Sequence, residues 1–119
     1  MKVIIRASVH ETESSRKVAT AVHNIFPDAI LECSNGALNG ISKSLETFAL
    51  LLKRQRIRSA AQTELLQRAT PTSFEFLLNK QAAFNNKVNF GSGPLGGIYV
   101  KVVTSPPEEL IKEITEATE

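Results

Sequence analysis

Residues 2–10 alternate: Val3, Ile5, Ala7 and Val9 fall on one side, and Lys2, Arg6, Ser8 and His10 on the other, with Ile4 as the exception. A period of two with one apolar side predicts a half-buried strand. The period then changes. Val18, Val22, Ile25 and Phe26 recur at helical spacing, Thr12 stands where an N-cap would with Glu13 in the first turn, and Pro27 closes the segment. A helix is therefore expected to lie on the apolar face of the strand. Residues 29–34 form a short second strand closed by Asn35-Gly36, and residues 36–40 read as a loop. From Ser42 to about Arg68 the pattern is helical again. Leu45, Phe48, Ala49 and Leu52 share one stripe, whereas Ile57, Ala61 and Leu65 share a rotated one. This change of phase predicts a kink or break within residues 55–58.

After a turn at Thr70-Pro71-Thr72, residues 73–78 place Phe74 and Phe76 on alternate positions and read as a third strand. Residues 87–90 and 97–103 look like two more strands joined by residues 91–96. Ser105, Pro106 and Glu108 then mark a last helix, as cap, first helical residue and capping-box partner. Three strands clustered near the end cannot all be separated by crossover helices. The expected class is α+β: a two-layer sandwich with a mixed or mostly antiparallel sheet of about five strands, helices on one face and the other face open. With 119 residues, 42% of them apolar and 22% charged, the chain fits a single domain over residues 1–119 with an ordinary core.

Charge sharpens this picture. Residues 47–107 carry eight basic groups against only Glu64 and Glu75, and residues 108–119 carry Lys112 against five glutamates. A basic middle and an acidic end flag a polyanionic partner. Lys53, Arg54, Arg56 and Arg58 crowd into six residues, with no acid between Glu46 and Glu64. Such a run is ordinarily a solvated helix face; the continued shortage of acid as far as Pro107 favours a phosphate-binding reading. Lys80 and Lys87 lie in the stretch that has no acid at all and join that set. Between them Asn79, Gln81, Asn85 and Asn86 offer amides suited to base edges or sugar hydroxyls. The same amides can instead satisfy the backbone of an irregular connection, with Ala82, Ala83 and Phe84 packed beneath as one helical turn. On the open sheet face, Tyr99 and Lys101 are expected beside Lys2 and Arg6, an aromatic flanked by cations.

Other chemistry has little support. Gly91, Gly93 and Gly96 match the spacing of a dinucleotide fingerprint, but that fingerprint needs a helix after it, and here a strand follows. The basic middle holds two acids and no histidine, so no catalytic residue is assigned and no enzyme is expected. Cys33, His10 and His23 show no metal-ligand spacing; no metal and no cofactor are expected. One cysteine, no leader pattern and no apolar run near the ~20 residues of a bilayer span lead to an expected cytoplasmic protein with no membrane partner.

Residues 24–29 (Asn-Ile-Phe-Pro-Asp-Ala), 54–57 (Arg-Gln-Arg-Ile), 78–90 and Pro94-Leu-Gly96, in this order and spacing, resemble an archaeal family of small proteins that shares the fold of ribosomal large-subunit protein five. The resemblance runs nearly from end to end and is most specific in residues 79–90. It implies a two-layer α+β sandwich and an archaeal cytoplasmic setting, and it carries no catalytic residue. Two functions follow as expectations: a non-enzymatic RNA-binding module, or an assembly protein whose basic middle meets the acidic C-terminal helix of another copy in a homodimer or larger oligomer. An enzyme acting on a phosphorylated small molecule through Lys80 and Asn79 is a third.

Overall fold

In the computed structural model, residues 1–94 and 96–116 are described; Leu95 of the glycine-rich connection and Glu119 of the acidic ending lie outside them. The elements run β1 (Lys2–Ser8), α1 (Ser15–Ile25), β2 (Ile30–Ser34), β3 (Ala37–Ser42), α2 (Glu46–Arg54), α3 (Arg58–Gln67), β4 (Ala69–Thr70), β5 (Ser73–Asn79), α4 (Lys80–Phe84), β6 (Gly97–Val103) and α5 (Pro107–Thr115). One sheet takes the order β2-β3-β1-β6-β5-β4, every neighbour antiparallel. The fold is thus the expected α+β sandwich, with six strands rather than five.

Register decides which face is buried. Val3, Ile5 and Ala7 of β1 stand opposite Val102, Val100 and Ile98 of β6, and these continue onto Phe74, Phe76 and Leu78 of β5. All nine are buried. Val18, Ala21, Val22 and Ile25 of α1, Phe48 and Leu52 of α2, Ala61 and Leu65 of α3 and Ile111 of α5 complete the core. Five phenylalanines interlock there: Phe48 stacks on Phe76 at 4.9 Å between ring centroids, Phe26 and Phe74 extend the stack, and Phe90 meets Phe48 and Phe76 edge-on. Such pairs add about 1 kcal/mol each beyond their burial.

Several boundaries differ from expectation, each for a local reason. Residues 37–42 form β3, because Asn35 (φ 51°) and Gly36 (φ 72°) make the two-residue turn with positive φ at both positions that matches the twist of a hairpin. Gly40, read as loop, faces Leu31 across that hairpin; a Cβ there would lie 2.4 Å from Leu31 Cδ2. Helix α1 is capped by Ser14 rather than Thr12, since Glu13 is drawn away to the His10 amide and Lys80. Helix α5 starts at Pro107. A proline holds the residue before it in extended backbone, and Pro106 (φ −82°, ψ 145°) cannot be the first helical residue, so Ser105 is too far back to cap. The expected strand over 87–90 is absent. Val88 bonds to the Gln55 side chain instead, and pairing with β5 is reduced to a bridge of Phe90 to Leu78 and a bond from the Asn79 N–H to the Asn89 carbonyl.

Candidate nucleic-acid interface

The interface is built around the break between α2 and α3. Helix α2 ends at Arg54, Gln55 is its C-cap, and Arg56 takes the left-handed conformation (φ 58°) before α3 begins at Arg58. The predicted phase change therefore marks a true corner. Lys53, Arg54 and Arg56 are exposed on it and Arg58 is half-buried. Gln55 points inward and its amide clasps the backbone of Val88: Nε2 donates to the Val88 carbonyl at 2.9 Å, and the Val88 N–H donates to Oε1 at 2.6 Å. This clasp brings the segment after α4 to the corner. Lys87, which is exposed, directly precedes Val88, and Arg54 and Arg56 flank Gln55.

Helix α5 closes the other flank. A cleft of about 760 Å³ is lined by Lys53, Arg56, Arg58, Ser59, Gln62, Lys112, Thr115 and Glu116, four cations against one acid. Gln62 Nε2 donates to Thr115 Oγ1 at 3.2 Å, which ties α3 to α5. Lys112 sits among glutamates and carries no sequence signal for this surface; only packing of α5 beside α3 reveals it. Glu113 and Glu116 line a neighbouring cleft with Lys53 and Arg58. Two glutamates of the acidic helix thus lie beside the basic segment within one chain.

Lys80 has another task. It is only 7% exposed; its Nζ donates to Glu13 Oε1 at 2.9 Å and to the Ser8 carbonyl at 2.6 Å, joining β1, the α1 entry and α4. The expectation that it reaches a phosphate is corrected on this ground. Burial pushes the Glu13 carboxyl up, but hydrogen bonds from the His10 amide and Lys80, with the charge of Lys80, outweigh it and hold the group below the usual carboxylate range. Asn79 caps α4, its Oδ1 accepting from the Ala82 N–H at 2.9 Å, so it too serves the scaffold. Asn86 occupies a left-handed position (φ 61°) that asparagine tolerates, and its side chain is exposed, as are those of Gln81 and Asn85.

On the open sheet face Arg6 lies opposite Tyr99 and Ile4 opposite Lys101. The Tyr99 hydroxyl donates to Glu75 Oε2 at 2.7 Å, and that bond, with burial and the carboxylate's charge, raises the tyrosine's pKa. Lys101 is opposite Glu75 as well. The expected pairing of one aromatic with cations is present in register, but Glu75 and the exposed Ile30 and Ile41 make this face more acidic and apolar than expected. Tyr99 and Lys101 are also remote in sequence pairing from the corner that gathers Lys87 and Arg56. Among the described residues no group of three His, Cys, Asp or Glu could hold a metal, and no helix is long and apolar enough to cross a membrane.

Comparison with known proteins agrees with this architecture. A family model described as RNA binding matches residues 2–104. A UPF0201 protein of Methanocaldococcus jannaschii is 40% identical, the match covering 98% of this chain and 71% of that one. The crystal structure of the UPF0201 protein from Methanococcus jannaschii superposes with a TM-score of 0.91 over 100% of this chain and 96% of that one, at 40% identity. A second UPF0201 crystal structure, 34% identical, gives 0.93 over 99% and 95%. Sequence identity over almost the whole chain and a shared fold agree: the chain belongs to the archaeal UPF0201 family, whose domain is described as RNA binding.

Proposed function

We propose that the protein is a non-enzymatic RNA-binding module that grips the phosphate backbone at the α2–α3 corner. The observation that carries this reading is the Gln55–Val88 clasp, which ties the segment of Lys87 to the segment of Arg54 and Arg56 across 33 residues of chain. Lys53, Arg58 and Lys112 extend the cationic surface into the adjoining cleft. The family model's description supports the same reading.

Chemistry at Asn79 and Lys80 has no such support, because one caps a helix and the other is held in a buried ion pair. The test is fluorescence anisotropy with short single-stranded and structured RNAs at 50 mM and higher salt. Six phosphate contacts predict a slope of log affinity against log salt of about −4.2 for a single strand and about −5.4 for a duplex. Absence of binding to every RNA at low salt would end the proposal.

A further inference from the structure

Of the six phenylalanines, five share the core stack and one does not. Phe84, expected to pack beneath its helical turn, is 43% exposed at the end of α4. Its backbone is nonetheless fixed: Asn24 of α1 donates through Nδ2 to the carbonyls of Ala83 at 3.0 Å and Phe84 at 3.1 Å, while Ala83 is buried against the core. An aromatic ring is thus held at the surface by a backbone tethered to α1 through two hydrogen bonds.

The ring lines a groove of about 620 Å³ between α1 and α4. Val18 and Ala21 supply its apolar wall; Gln81 and Asn85 stand on the α4 side and Lys17 on the α1 side. Asn85 Nδ2 donates to the Gln81 carbonyl at 2.9 Å, which orients its Oδ1, and the Gln81 amide makes no hydrogen bond among the described residues. Glu13, fixed by Lys80 and the His10 amide, adds a further acceptor. A flat ring beside amides that can both donate and accept is the chemistry that recognises an unpaired nucleobase, by stacking on its face and bonding to its edge. The groove also lies within pocket sizes usual for small ligands.

Resting on the RNA-binding reading above, we propose that this groove takes an unpaired base of single-stranded RNA, stacked on Phe84 and bonded at its edge by Gln81 and Asn85. The position is apt, since Lys87 follows Asn85 by two residues and leads directly to the Gln55 clasp. One short segment would then hold a base at Phe84 and its neighbouring phosphate at Lys87.

The experiment uses the full chain and a uridine oligonucleotide carrying one 2-aminopurine, with a duplex of matching length as control. The wild type should quench 2-aminopurine emission on binding. Phe84→Leu keeps an apolar side chain without the ring; it should abolish the quench and weaken single-strand affinity about ten-fold, leaving the duplex affinity and the salt slope unchanged. Gln81→Ala, at an exposed site that does not threaten folding, should weaken single-strand affinity several-fold with the quench retained. If Phe84→Leu binds the single strand as tightly as the wild type, the groove is not a base site while the phosphate reading stands. If the wild type binds no RNA at low salt, both readings fall.

Discussion

Arg56 shows how much a single residue's conformation can reveal. A non-glycine residue at φ 58° carries a backbone cost of about 1 kcal/mol, and such positions collect at functional sites. Arg56→Gly should therefore leave the melting temperature unchanged or raise it by a few degrees while weakening RNA binding, a split that thermal melts and anisotropy on the same preparation would expose. Lys80 should behave in the opposite way. Lys80→Ala leaves the Glu13 carboxylate 9% exposed without its cation, and breaking a buried pair costs about 3 kcal/mol, lowering the melting temperature by roughly 10 °C. Its folded fraction should bind RNA with the wild-type salt slope. A reduced slope would return Lys80 to the phosphate contacts. Nothing in the sequence separates Lys80 from Lys87, since both sit in one acid-free stretch; the difference comes from Glu13, 67 residues away, and only folding brings it near.

At the scale of elements, the corner between α2 and α3 depends on a bond between two irregular segments. Gln55→Ala removes both hydrogen bonds to Val88 and should cost about 2 kcal/mol. It should also raise amide exchange selectively in residues 85–90, with β1 and β6 unchanged; uniform exchange would mean that the clasp is incidental. The break itself was legible, because the apolar stripe rotates between Leu52 and Ile57, and so were β1, β5 and β6 from their alternation. What it joins was not. Residues 87–90 carry a strand's composition, yet the Gln55 amide takes both backbone bonds of Val88, while Asn89 and Gly91 bond to Asn79 and Leu77 of β5 on either side of the Phe90 bridge. The hairpin of β2 and β3 was half-legible: Asn35-Gly36 is a strong turn signal, but Gly40 hid the second strand, its missing Cβ making room for Leu31. The base groove could not be read at all, because Phe84 has the same apolar character as the phenylalanines that pack.

Across the whole molecule, two carboxylates link stability to pH. A hydrogen bond from the Ser42 hydroxyl and one from the Lys43 amide hold Asp28 below its ordinary range, and Glu13 is lowered as well. For groups lowered in the native state, the unfolded chain binds more protons, so their stabilisation is complete above the ordinary range near pH 4 and is lost as pH falls through the native values. Urea midpoints should therefore be level from pH 8 to 5 and drop below pH 4, with Asp28→Asn flattening the drop; a drop of equal size in that variant would assign acid sensitivity elsewhere. Charge acts on the same scale in binding. The acidic helix lies beside the basic corner of its own chain; Arg54 and Lys87 line neither of the two clefts that Glu116 lines, and Arg56 lines one of them. The most direct test compares the salt dependence of RNA affinity in wild type and in Arg54→Gln/Arg56→Gln/Lys87→Gln. Phosphate binding at the corner predicts a slope shallower by about 2 for a single strand, from three lost phosphate contacts. A triple variant with the wild-type slope would contradict it.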